Sequence, residues 1–140
     1  MQKVLVVIDM QNDFVDGALG STQAQMIVDN VRKKIESFDG PIIFTRDTHG
    51  IDYLERQEGK MLPVPHCVKN TEGWHIVKGL IEAAEGRPIM SPVSFIDKPN
   101  FGSFELLSRL EGMNSVNPIE SITLVGLCTD ICVVSNAIIL

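Results

Sequence analysis

The sequence predicts an α/β fold, a three-layer αβα arrangement around a doubly wound, mainly parallel sheet of the Rossmann-like kind. Three observations predict it. Val4–Ile8 and Pro41–Arg46 are near-continuous runs of aliphatic and aromatic residues, the signature of strands buried on both faces. Helical patterns separate the strand candidates, which implies parallel pairing through right-handed crossovers. Residues able to carry chemistry follow the strand candidates, and ligands of such sheets bind beyond the carboxyl ends of the strands.

The elements follow in order. After the first strand comes the loop DMQNDFVDGALGS. Thr22 and Gln25 are spaced as a capping box, and Ala24, Ile27, Val28, Val31 and Ile35 recur at helical spacing behind them. Asp39-Gly40-Pro41 stops that helix before the second strand. Asp47 to Asn70 is polar, carries Gly and Pro, and reads as loop. EGWHIVKGLIEAAEG predicts a short helix ended by Gly86, with His75 on it as a surface or packing residue. RPIMSPVSF is a third strand weakened by its prolines. GSFELLSRLEG is a short helix, SITLVGL a fourth strand, and a last helix begins near Asp130. The chain ends on Ile-Ile-Leu with no Gly or Asn cap and no basic last turn. It therefore reads as one domain, residues 1–140, that lacks its C-terminal strands.

Composition narrows the class. With 140 residues, 44% of them hydrophobic and 21% charged, the chain suits one domain with a real core. A net charge of −6 argues against nucleic-acid binding, which needs a basic face. No apolar run approaches the roughly 20 residues that span a bilayer. VLVVI is short and meets Asp9 at once, so it is not a signal peptide. These features predict a cytoplasmic protein with no membrane partner, whose three cysteines stay reduced. Oligomerisation would cover an exposed sheet edge, but no feature fixes the number of subunits.

Cys128 and Cys132 stand four apart where a strand gives way to a helix, which is not Cys-x-x-Cys spacing. Thr129 or Asp130 can cap the helix, so Cys132 falls in its first turn, where backbone N–H groups favour a thiolate. Cys128 reads as a buried strand-end thiol. A cysteine nucleophile needs a proton acceptor and a charge partner. Asp9 can be the first, or else a solvated strand-end carboxylate. Lys98 can be the second, since a nearby cation favours the thiolate, or else an exposed loop lysine. Asp47, His49 and His66 offer a carboxylate and two imidazoles, a donor set that suits Zn²⁺; loop histidines are also commonly just solvated. Phe14 and Phe101 are the aromatics nearest this chemistry in sequence and can either wall a flat substrate or serve the core.

VIDMQNDF, RDTH, HCVKNTEG, KPNFGSF and GLCTDICV, in that order, resemble the isochorismatase-like cysteine hydrolases, above all their nicotinamidase/pyrazinamidase branch. The resemblance runs from residue 3 to about residue 137. It implies a six-stranded parallel sheet and a catalytic triad falling on Asp9, Lys98 and Cys132. It implies a cis peptide before Cys128, so that the N–H groups of Cys128 and Cys132 form an oxyanion hole. It implies a metal, zinc by chemistry, on Asp47, His49 and His66, which orients a pyridine nitrogen. The chain departs from the family wording at Thr48 and Gly50, where an aromatic and a proline are frequent. That departure bears on the substrate and leaves the triad untouched.

The activity so implied is a cysteine-dependent amidohydrolase that releases ammonia from nicotinamide or a similar small amide through a thioester. Two alternatives compete. One is a metal-independent family hydrolase acting on an N-carbamoyl or ureido amide. The other is a non-catalytic α/β domain binding a nucleotide or a partner. The loop after the first strand lacks the G-x-G-x-x-G phosphate fingerprint, which weighs against a nucleotide.

Overall fold

A computed structural model describes residues 1–17, 20–50, 52, 67–87, 92–98 and 104–126. Strand β1 (Gln2–Ile8) runs through the middle of the molecule, and Val4 to Ile8 are all fully buried. Helix α1 (Asn12–Val15) is a single turn directly after it, and α2 (Thr22–Ser37) returns along the sheet. β2 (Ile42–Asp47) follows. A 3₁₀ turn (Glu72–Trp74) precedes α3 (Lys78–Glu85). Then come β3 (Val93–Lys98), α4 (Phe104–Val116) and β4 (Ile119–Gly126).

The described strands form one sheet in the order β3-β2-β1-β4, and every pair is parallel. Two apolar clusters cover its faces. Leu5, Val7, Ile42 and Phe44 pack with residues of α2 and α3, such as Val31, Ile35, Leu80 and Ala84. Val4, Val6, Ile8, Ile43 and Ile96 pack with Leu106 and Leu110 of α4. Alternate side chains of β1 thus feed opposite layers, which is why its sequence is apolar throughout rather than alternating. Each fully buried aliphatic side chain there contributes about 1.5–3 kcal/mol. The three-layer arrangement is the one the sequence predicts.

Several boundaries differ from the sequence reading, each for a physical reason. Ser21, not Thr22, caps α2. Its backbone is extended (φ −150°, ψ 160°) and its hydroxyl accepts the Ala24 N–H at 3.0 Å. Residues 72–86 are not one helix. Ile76 forms an antiparallel bridge with Gln11, and the Val77 N–H donates to Met10 at 2.9 Å, which holds His75–Val77 extended between the 3₁₀ turn and α3. His75 therefore lies outside any helix, exposed, with its ring edge-on to Trp74 at 5.2 Å. β3 starts later than expected, after the prolines, and includes Lys98 as its last residue. Likewise Asp47 ends β2 instead of following it. The helix anticipated near Asp130 lies outside the described residues. No helix among those described is long and apolar enough to cross a membrane.

Candidate active site

The carboxyl ends of the strands carry the polar residues that the interior tolerates. Six polar or charged side chains are buried among the described residues, and five of them, Asp9, Gln11, Thr45, Asp47 and His49, gather here. The sixth, Arg87, bonds to the Gly40 carbonyl, at the turn that leads into the amino end of β2. Burying such groups costs free energy unless they are hydrogen-bonded, so their concentration on one rim makes it the candidate site.

Asp9 follows β1 and is wholly buried. Its φ of 54° is left-handed, uncommon for a residue with a Cβ and typical of turns and functional sites. Two bonds to β2 hold it there: its N–H donates to the Thr45 carbonyl at 3.2 Å, and Thr45 Oγ1 donates to its Oδ1 at 3.0 Å. The carboxylate is thus a positioned acceptor, not a solvated strand end. On the other side of β1, Gly126 ends β4 opposite Ile8. A Cβ at Gly126 would fall 2.1 Å from the Ile8 carbonyl oxygen, so only glycine allows this approach. The chain leaves β4 beside Asp9 two residues before Cys128.

Asp47 and His49 converge. His49 Nε2 lies 3.0 Å from Asp47 Oδ2, and the two residues are 5% and 0% exposed, respectively. Ligands on a tetrahedral zinc stand about 3.3–3.5 Å apart, given bonds of about 2.0–2.2 Å. At 3.0 Å the two atoms are hydrogen-bonded to each other, closer than that spacing; a carboxylate oxygen and an imidazole nitrogen side by side and shielded from water are nonetheless the donor types such a site uses. Among the described residues no group of three His, Cys, Asp or Glu that could hold a metal comes together, and the third expected ligand, His66, lies outside them. Its sequence neighbour Cys67 is described. The Cys67 carbonyl accepts the His49 N–H at 3.0 Å, and Val68 pairs with His49 in a parallel bridge. Residues 47–49 and 67–69 therefore meet although the sequence separates them.

Lys98 pairs with Asp47 in the register of β3 and β2, which places its backbone on the same rim, one strand beyond β2 from Asp9. Phe14, on α1, is 4% exposed and belongs to the core cluster that also holds Met10 and Trp74. Cys128, Cys132 and Phe101 lie outside the described residues, as does the cis bond expected before Cys128.

Sequence reasoning gave no role to Thr45, Gln11 or Asp13. Gln11 is fully buried; its Oε1 accepts the Asp47 N–H at 2.8 Å, and its Nε2 donates to the carbonyls of Asp47 at 2.9 Å and Trp74 at 2.8 Å. Asp13 Oδ2 accepts the Cys67 N–H at 2.7 Å. The available signal was that both belong to the stretch DMQNDF directly after a buried strand. What they bind could not be seen, since those partners lie 36 to 63 residues away.

Comparison with known proteins agrees with this fold. The isochorismatase domain family matches residues 3–139. The nicotinamidase/pyrazinamidase PncA of Bacillus subtilis is 30% identical, with a TM-score of 0.83 over 99% of this chain and 78% of that one. A pyrazinamidase of Pyrococcus horikoshii, solved in complex with zinc, is 27% identical over 99% of this chain and 77% of that one, with a TM-score of 0.71. An N-carbamoylsarcosine amidase of Thermoplasma acidophilum is 26% identical over 99% of this chain and 75% of that one, with a TM-score of 0.76. The chain belongs to the isochorismatase family and is an amidohydrolase of its nicotinamidase-like branch.

Proposed function

We propose that this protein hydrolyses nicotinamide, or a closely related small aromatic amide, to the acid and ammonia through a thioester on Cys132. The observation that carries the reading is Asp9. It is a fully buried carboxylate in a left-handed backbone conformation at the end of the central strand, held by Thr45 and flanked by the ends of β2 and β4.

In the proposed reaction Asp9 takes the Cys132 thiol proton, and the thiolate attacks the amide carbonyl. The backbone N–H groups of Cys128 and Cys132 receive the developing oxyanion. As the C–N bond breaks, Asp9 returns the proton to the departing nitrogen, which leaves as ammonia. Water then attacks the thioester, Asp9 accepts its proton, and the carboxylic acid departs as the thiol re-forms. The sum is amide plus water giving acid plus ammonia. Lys98 lies one strand beyond β2 from Asp9, roughly 10 Å across at strand spacing, a gap its four-carbon stem and the Asp9 side chain can close. Its ammonium lets thiolate and carboxylate coexist.

Asp47, His49 and His66 hold a divalent metal, zinc, in this reading. When bound, it supplies a Lewis-acidic anchor for a ring nitrogen. Two things support it: the Asp47–His49 convergence at 3.0 Å, and the zinc complex of the Pyrococcus relative. Phe14 serves the core beside the site rather than an open ring wall, which leaves Phe101 as the expected aromatic wall. The substrate is a small amide, with neither nucleic acid nor membrane as partner, and the protein works in the cytoplasm.

Ammonia release from nicotinamide, pyrazinamide, benzamide and an N-carbamoyl amino acid tests the proposal, with Cys132→Ala alongside the wild type. Turnover of the two ring-nitrogen amides, abolished in the variant, is expected. Wild-type rates in Cys132→Ala would remove the nucleophile. Turnover of the N-carbamoyl compound alone would move the substrate to the ureido class.

A further inference from the structure

We infer that Gln11 and Asp13 are positioning residues that pre-set the metal-binding side chains through the backbone; the inference rests on the reading of Asp47, His49 and His66 as ligands. The argument is a closed circuit of hydrogen bonds. Gln11 grips the backbone of Asp47 on both its N–H and its C=O, at 2.8 and 2.9 Å. Two residues on, the His49 N–H donates to the Cys67 carbonyl at 3.0 Å, and the His49 carbonyl accepts the Lys69 N–H at 2.8 Å. The Cys67 N–H, which belongs to the peptide joining it to His66, donates to Asp13 at 2.7 Å. Asp13 lies two residues from Gln11, on α1, and the circuit closes.

Each link is built. The one acceptor and two donors of the Gln11 amide are all engaged at zero exposure. Asp13 sits against Gly73, where a Cβ would fall 2.2 Å from its carboxylate, so the space was left for it. Cys67 is fully buried at φ 48°, a backbone state that residues other than glycine keep only when their surroundings hold it. The Asp13 bond is one such hold. Gln11 fixes the backbone of Asp47, and Asp13 bonds to the backbone N–H of Cys67, the residue that follows His66 in sequence. Partners of this kind typically change metal affinity by about 10–100-fold.

The test is zinc affinity, measured by competition with a chromophoric chelator on protein shown to be folded by circular dichroism. Asp47→Ala serves as the control. Gln11→Glu, which keeps the shape but cannot donate to both carbonyls, should bind zinc about 10–100-fold more weakly, and Asp13→Ala likewise. Asp13→Asn retains an acceptor for the Cys67 N–H and should recover most of the loss. If Asp47→Ala weakens zinc while Gln11→Glu and Asp13→Ala bind like the wild type, the positioning role is overturned and the metal reading survives. If Asp47→Ala itself binds like the wild type, the metal reading falls and takes this inference with it. Should Gln11→Glu fail to fold, the metal-free wild type decides. Its Gln11 side-chain amide protons, followed by NMR, should exchange slowly with solvent; exchange at the rate of an exposed glutamine overturns the inference.

Discussion

Two polar clusters of similar size teach opposite lessons. One lies on the outer face of α2: Asp29 meets Arg32 and Lys33, and Arg32 reaches Glu36. These side chains are 38–67% exposed, and each pair is three or four residues apart. The other is the carboxyl rim, where Asp9, Gln11, Thr45, Asp47 and His49 are buried, with links across the chain to residues 36 to 63 positions away. Helix geometry alone brings the first cluster together, and water screens it. The second exists only once two strands and a loop have assembled, and there is no water to replace a lost partner. A polar contact matters here by its burial and its reach, not by its length in ångströms.

The sharpest way to break this contrast is Asp9→Asn. If the buried rim carries the chemistry, losing a carboxylate that moves protons should lower kcat by about 10²–10⁴-fold. Ammonia release under saturating nicotinamide measures it. A variant within a few-fold of wild type would return Asp9 to the status of an ordinary strand-end carboxylate.

Asp47→Ala comes next. Zinc content after purification and gel filtration should fall below that of the wild type, and turnover of nicotinamide and pyrazinamide should drop by about 100-fold or more, beyond what loss of an outer partner causes. Benzamide, which lacks a ring nitrogen, should suffer least. An equal loss on all three amides would take the orienting role away from the metal.

Thr45→Val keeps the volume of a buried side chain and deletes only the hydroxyl that donates to Asp9. A hydrogen bond to a charged group contributes about 1.5–3 kcal/mol, so kcat/KM should fall by roughly 10–100-fold. Thr45→Ser, which retains the hydroxyl, should stay near wild type. Equal effects of the two substitutions would assign Thr45 to packing alone.

How much of each cluster could be read from the sequence follows from the same contrast. The α2 pairs are visible as Asp29, Arg32, Lys33 and Glu36 at helical spacing, and the two-face burial of Val4–Ile8 shows in its unbroken aliphatic run. Placing Asp9, Asp47 and Lys98 on one rim required only strand order and parallel pairing, which the helical crossovers imply. The Gln11 and Asp13 bonds were not legible. Nothing in the residues near Gln11 specifies the backbone of Asp47 or the carbonyl of Trp74 as its partners, since those lie on the neighbouring strand and on the 67–77 segment that folds back beside α1. The split of 72–86 into a 3₁₀ turn and a helix was hidden for the same reason: a tertiary bridge to Gln11 overrides local helical preference.

The smallest expected effect tests the exposed side of the contrast. Arg32 and Lys33 bond to the Asp29 carboxylate and hold its pKa below the ordinary value of 3.8. A depressed folded-state pKa means that the interaction stabilises the fold above the unfolded pKa and is lost as pH falls through the folded value. Asp29→Asn should therefore lower the melting temperature slightly at pH 7 and in low salt, and the difference from wild type should vanish well below pH 3.8. Added salt should shrink it at neutral pH, because the pair is open to water. Turnover should not change, as α2 presents this face away from the carboxyl rim. A loss of activity in Asp29→Asn, or a stability loss as large as that of Thr45→Val, would mean that exposure does not separate the two clusters as their geometry says it should.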